Sequence, residues 1–210
     1  MNLKKMLTVT TVAAFCLFAS SIAFGQSSPR MGIKGGLNLS NLYLNNVSDE
    51  NARIGFNVGV YGQLLSTDVF ALQPELLYST KGSHNEFDGF PNQTVKFNLN
   101  YLDLPVLAVF KLGKSAEIHA GGYASYLLNA NISHDGDFGS GSEDLNRDNF
   151  KSFDYGLVGG FGLNFGAVQV GARYNFGLVE IADSDAADLI IGDAKNSVAQ
   201  IYMAFNLNHQ

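Results

Sequence analysis

The chain has 210 residues, 46% of them hydrophobic and 12% aromatic, with 23 glycines, a single cysteine and no tryptophan. Its 13 basic residues are outnumbered by 19 acidic ones, which excludes a nucleic-acid partner, because such partners need a basic face. Past the first 25 residues no apolar run is long enough to cross a membrane as a helix.

Residues 1–25 read as a secretory signal peptide. Lys4 and Lys5 open it, Met6 to Phe18 is its apolar stretch, and Ala23 and Gly25 precede a cleavage point before Gln26. Cys16 lies inside this leader with Phe15 before it, so the spacing is not that of a lipoprotein and the mature chain has no thiol. A disulfide-free exported domain is held by burial and backbone pairing. Removal of the two leader lysines leaves 11 basic residues against 19 acidic, a charge of −8.

Residues 26–210 form one domain whose pattern repeats every second residue. In "MGIKGGLNLSNL" the positions Met31, Ile33, Leu37 and Leu39 alternate with Gly32, Lys34, Gly36, Asn38 and Ser40, as on the two faces of a strand. The same alternation recurs over 54–65, 69–80, 153–165, 168–181 and 197–207. Two further segments, 95–112 and 117–131, complete a set of eight; the first shifts parity near Asn100, which predicts a β-bulge there or a change of face where the membrane ends. None of the eight carries a helical period as clearly as it carries this alternation.

The connections alternate in length. Ser66–Asp68, Gly113–Ser115 and Gly166–Ala167 are short, whereas 43–53, 81–94, 132–152 and 182–195 are long and polar. All tight turns therefore fall at one end and all long loops at the other. This predicts an all-β fold: an eight-stranded antiparallel up-and-down transmembrane β-barrel.

Alternation alone does not say which face meets water. The polar rows are rich in glycine and amides and poor in lysine and glutamate, which suits a narrow interior rather than a solvated exterior. Aromatic residues of the apolar rows, among them Phe56, Tyr78, Tyr126, Tyr174 and Phe205, lie near strand ends, as interfacial girdles do. The apolar rows are therefore expected to face lipid, with Phe56, Val58, Val60, Leu157, Phe161, Val170 and Tyr174 as representatives. The inverted arrangement, a soluble lipocalin-like barrel, is the alternative.

The segments "GIKGGLNLSNL", "QPELLYSTKG", "YLDLPVLAVF", "GGYASYLL" and "ARYNFGL" together resemble the outer-membrane β-barrel family that includes PorT-like proteins. The resemblance spans Met31 to Leu207 and implies an eight-stranded barrel of OmpX-like size in the cell outer membrane. It implies little about activity, although one type of member supports protein secretion. The chain departs from the family habit of ending on an aromatic residue, since Phe205 is followed by "NLNHQ".

Five charges are expected in the lumen: Lys34, Glu75, Asp103, Asp154 and Arg173. In a narrow interior they must pair, so a structural, salt-bridged plug is the expectation and an ion path the alternative. No catalytic residue, metal site or cofactor is expected. Ser133, His134 and Asp135 approximate a hydrolase set but are adjacent, and neighbours on an extended chain point apart. The acidic runs Asp135–Asp144 and Asp183–Asp188 lack the calcium-loop spacing and read as solvated loops. The glycines of "GGFGLNFG", Gly159–Gly166, read as a smooth lumen-facing stripe.

The reading that emerges is a non-enzymatic outer-membrane barrel with a filled polar lumen. Its partners are outer-membrane lipid and an extracellular protein or surface ligand met through the loops 43–53, 81–94, 132–152 and 182–195. A narrow transport or secretion-associated barrel is the second reading and a lipid-modifying enzyme the third.

Overall fold

The computed structural model describes residues 30–43, 53–87, 93–136, 139–144, 151–180 and 195–208. The leader, the run Asp183–Asp188 and His209 lie outside the described residues. The strands are β1 Met31–Tyr43, β2 Arg53–Gly62, β3 Phe70–Phe87, β4 Gln93–Leu112, β5 Ala116–Gly136, β6 Gly139–Asp144, β7 Phe153–Phe165, β8 Val168–Glu180 and β9 Lys195–Asn206.

Eight of these close into a ring. Neighbours pair antiparallel in the order β1–β2–β3–β4–β5–β7–β8–β9, and β9 returns to β1, from Gly32↔Asn206 to Tyr43↔Lys195. Closure leaves no free edge within the ring, so wall backbone groups find partners without water. The ninth strand, β6, stands outside the ring and pairs with the far end of β5, from Asn131↔Asp144 to Gly136↔Gly139.

The alternation in the sequence becomes an inside and an outside. Ile201 is 68% exposed, whereas its neighbours Gln200 and Tyr202 are 4% and 2% exposed. The bulky aliphatic rows point away from the axis, and the amides, charges and hydroxyls point into the bore. The turn end is tight: Gly113 and Gly166 adopt φ of +70° and +62°, a backbone state in which glycine has no Cβ penalty.

The structure differs from the sequence reading in four respects. First, much of 81–94 and 132–152 is sheet rather than loop. Strands β3, β4 and β5 run 18, 20 and 21 residues, against 10 for β2, and the acidic run Asp135–Asp144 contains the β5–β6 hairpin. A span needs roughly 9–11 residues, so this sheet rises past the rim. Over 82–86 and 133–136 the sequence, "GSHNE" and "SHDG", has no apolar side chain, so the apolar half of the alternation that identifies a strand is lost.

Second, the register shift beside Asn100 is present, but the extra residue is on the partner strand. Asn100 pairs with Asn129 and Tyr101 with Leu127, which leaves Leu128 over. The inward row of β4 runs unbroken through Leu99, Tyr101 and Asp103. Leu99 therefore faces the bore. Third, the Gly159–Gly166 run is not a single lumen stripe: Gly159 opens outward, and Gly166 lies in the β7–β8 turn. Fourth, the interior is not polar throughout. Ala71, Leu107, Val109, Tyr123 and Val158 form a buried apolar cluster within it.

The β3–β4 ladder is interrupted. The β3–β4 ladder passes from Pro74↔Val106 to Leu77↔Asp103 without pairing Glu75 or Leu76. Pro105, opposite Glu75, has no N–H to donate. The break lies at the strand position that carries the most heavily paired side chain of the lumen.

Candidate functional site: the braced lumen

The inward rows of opposite strands meet across the bore. On the turn side the hub is Glu75 of β3. Arg173, from β8 on the opposite wall, donates Nη1 and Nη2 to its two carboxylate oxygens at 2.7 Å each. Gln73 donates to the same carboxylate at 2.7 Å, and Lys34 of β1 approaches at 3.4 Å. A forked guanidinium–carboxylate pair is the strongest and most directional of the charged hydrogen bonds. The ring of Tyr202 lies under both cations, 3.6 Å from Lys34 Nζ and 4.8 Å from Arg173 Cζ.

Glu117 of β5 forms a second centre nearer the turn end. It accepts from Gln169 at 2.5 Å and from Asn164 at 3.4 Å. His119 lies 3.0 Å from it through Nε2. Arg173 Nη2 stands 3.3 Å from His119 Nδ1; because arginine only donates, Nδ1 accepts and Nε2 carries the proton to Glu117. Arg30, just before β1, reaches Glu117 at 3.5 Å from the opposite side of the ring.

Toward the loop end Lys81 of β3 is the centre. It pairs with Asp103 of β4 at 3.0 Å and with Asp154 of β7 at 3.8 Å, and donates to Ser125 of β5 at 3.2 Å. Asp154 also accepts from Tyr123 at 3.2 Å and from Asn196 at 2.8 Å. The rings of Tyr101 and Tyr123 flank the ammonium at 4.7 and 4.9 Å. A fourth group joins β1, β2, β3 and β9 through Asn38, which bonds Ser79 at 2.9 Å, Asn57 at 2.6 Å and Gln200 at 3.0 Å.

Small residues make room for these side chains. A Cβ on Gly156 would stand 2.7 Å from Tyr123 Cε1, and one on Gly171 would stand 2.5 Å from Tyr202 Cζ. These glycines of β7 and β8 are the seats of the two tyrosines that line the ionic centres.

All five charges expected in the lumen, Lys34, Glu75, Asp103, Asp154 and Arg173, are buried there. The structure brings Lys34, Glu75 and Arg173 into one centre and Asp103 and Asp154 into another. Sequence reasoning missed Lys81, assigned to a loop, and Glu117, at a strand start. Both were signalled by parity: Lys81 continues the inward row of Glu75, Leu77 and Ser79, and Glu117 begins the row of His119. The outward set, Phe56, Val58, Val60, Leu157, Phe161, Val170 and Tyr174, is exposed on the wall. Among outward rings Phe56 packs on Tyr78 at 5.9 Å and Phe70 on Phe110 at 5.7 Å.

Ser133, His134 and Asp135 are consecutive positions of β5 beyond the ring, paired there with Lys96, Val95 and Thr94 of β4. Among the described residues no group of three or more histidine, cysteine, aspartate or glutamate side chains is arranged to hold a metal ion.

Comparison with solved structures agrees with this architecture. Ail, the attachment invasion locus protein of Yersinia pestis, solved with the heparin analogue sucrose octasulfate, superposes with a TM-score of 0.51 at 12% identity, covering 86% of this chain and 100% of that one. Neisserial surface protein A gives 0.49 at 12% identity, covering 87% and 99%. No curated protein matches the sequence. The family described as outer membrane protein beta-barrel domain matches residues 24–183; the chain belongs to that family and is a β-barrel of the outer membrane.

Proposed function

We propose that this protein is a non-enzymatic, closed barrel of the outer membrane that acts through what it holds above the membrane rather than through its bore. The observation that carries this reading is the joining of opposite walls. Arg173 on β8 and Glu75 on β3 face each other across the ring and share two 2.7 Å hydrogen bonds. A solute path along the axis would have to break a buried, charge-assisted pair, and leaving either partner unpaired is costly. The lumen charges thus serve as a structural plug. The resemblance to PorT-like and OmpX-like barrels fits a scaffold of this kind.

What remains available for function is the loop end. The four long connections, 43–53, 81–94, 132–152 and 182–195, carry 13 of the 19 acidic residues and five of the basic ones, of which Lys81 is buried in the lumen. A surface of that sign attracts cations and repels anionic polymers. Ail was solved with a sulfated ligand; a sulfated polymer would be repelled by the charge carried here. The protein is accordingly read as a surface interaction or envelope-structural barrel whose outer face selects for positive charge.

The test is reconstitution in planar bilayers. The expected result is no steady single-channel current from the intact protein. Reproducible open-channel conductance would overturn the plug and favour the transport reading.

A further inference from the structure

The four carboxylates buried in the bore are not equally served. Glu75 is met by Arg173, Gln73 and Lys34. Glu117 is met by Gln169, Asn164, His119 and Arg30, and Asp154 by Lys81, Tyr123 and Asn196. Asp103, 2% exposed, has Lys81 alone among the described residues. An ionised carboxylate has about four lone-pair sites to fill, and a buried one left short of partners is costly.

Charge points the same way. At the turn end Lys34, Arg173 and Arg30 face Glu75 and Glu117. At the loop end the carboxylates of Asp103 and Asp154 share the single ammonium of Lys81, at 3.0 and 3.8 Å. Lys81 also donates to Ser125, which leaves its ammonium no donor to spare. Arg53 of β2, only partly buried, donates to the Lys81 carbonyl rather than to either acid. Two carboxylates against one ammonium leave the loop-end group with one negative charge in excess.

An unpaired oxygen adjoins it. Asn196 is 2% exposed, and its Nδ2 donates to Asp154 at 2.8 Å. Because a carboxylate only accepts, the amide cannot be turned over, and its Oδ1 is left without a donor. Of the seven buried side-chain atoms that lack a hydrogen-bond partner among the described residues, six are oxygens. The shortage is of donors and positive charge, not of acceptors.

We propose that Asp103, Asp154 and Asn196 bind one monovalent metal cation, sodium or potassium, inside the loop-end half of the lumen. Carboxylate and amide oxygens are the ligands that hard cations take. One unit of charge neutralises the group, whereas a divalent ion would overshoot it beside the Lys81 ammonium. The ion joins β4, β7 and β9 where Lys81 already brings in β3. The site lies within the plug and does not depend on what the loops bind.

The test unfolds the mature barrel, refolded in lipid vesicles, with urea in choline chloride. Choline is then replaced stepwise by sodium or by potassium at constant ionic strength, which holds general screening fixed. At least one of the two ions should raise the midpoint saturably. The unfolding equilibrium constant should fall about tenfold at ten times the half-saturating concentration. Asp103→Asn removes the excess charge; it should lose the response and, in choline, unfold at higher urea than the wild type. Asn196→Leu keeps the charge and removes the oxygen; it should raise the half-saturating concentration severalfold. Glu117→Gln, a change of the same kind in the turn-end centre, should keep the full response.

Heat-modifiable gel mobility checks that each variant has folded. Identical midpoints in choline, sodium and potassium would overturn the proposal. So would a response that Asp103→Asn retains, or one that Glu117→Gln loses equally. A wild type blind to both ions, yet raised by mild acid to the midpoint of Asp103→Asn, would show that a proton supplies the missing charge, and the metal site would be wrong.

Discussion

The two faces of β8 are made of the same thirteen residues and inhabit different solvents. Val170, Tyr174 and Phe176 point outward and are exposed, while Gln169, Arg173 and Asn175, interleaved with them, are buried. Val170 and Arg173 are three positions apart along the chain. One is suited to hydrocarbon and makes no specific bond; the other is bound by a carboxylate of the opposite wall. The difference teaches that position parity, not local composition, sets what each residue of this chain must satisfy. The wall side presents apolar surface without specific partners, whereas the lumen charges Lys34, Glu75, Asp103, Asp154 and Arg173 are each met by an opposite charge.

The sharpest way to break this comparison is to remove the carboxylate that the lumen is built around. Glu75→Leu leaves Arg173 and Lys34 buried without their shared partner, at an expected cost of about 3–5 kcal/mol. Urea unfolding of the barrel refolded in lipid vesicles reads the loss. Pairing the change with Arg173→Met, which removes the stranded guanidinium, should recover much of it. Equal destabilisation in the single and double variants would mean that the pair does not brace the bore.

The same side chain on the other face should fail for the opposite reason. Val170→Arg places a guanidinium against hydrocarbon, at about 2–4 kcal/mol if the site is near the midplane, and Val58→Arg on β2 repeats the test elsewhere on the wall. Heat-modifiable gel mobility and unfolding midpoints measure it. Unimpaired assembly of both variants would contradict the outward assignment.

Much of this was legible in the sequence because period-two alternation carries it directly. The eight ring strands, the turn-end pattern and the outward row from Phe56 to Val60 all follow from alternation bounded by turns. The lumen was legible only where an alternating row could be followed. Lys81 was lost because the row Glu75, Leu77, Ser79 was cut at Thr80, where the residues turn polar; the strand in fact continues to Phe87. Leu99 is apolar yet buried in the bore, since a narrow interior also needs apolar bulk to fill it. Which charges meet could not be read at all. The Glu75–Arg173 pair joins positions 98 residues apart, and that meeting depends on ring closure and strand stagger, which alternation does not encode.

Apolar packing sharpens the comparison at smaller magnitude. Ala71 is fully buried in the cluster with Leu107, Val109, Tyr123 and Val158. Ala71→Leu forces extra volume into a closed space, and about 1–3 kcal/mol of destabilisation is expected from overpacking.

Val58→Leu should give the smallest effect. It also enlarges an apolar side chain, but Val58 is 52% exposed on the wall and its outer surroundings are fluid lipid. Acyl chains rearrange around the added methylene, so no neighbour in the protein must move. The change in unfolding free energy should stay within about 0.5 kcal/mol, well below that of Ala71→Leu in the same vesicle assay. The ranking matters more than either value, because it isolates confinement from hydrophobicity: both changes add apolar volume to a β-strand, and only one is enclosed by protein on all sides. If Val58→Leu proved as damaging as Ala71→Leu, the outer surface at that position would itself be packed against protein, and β2 would face a partner rather than lipid.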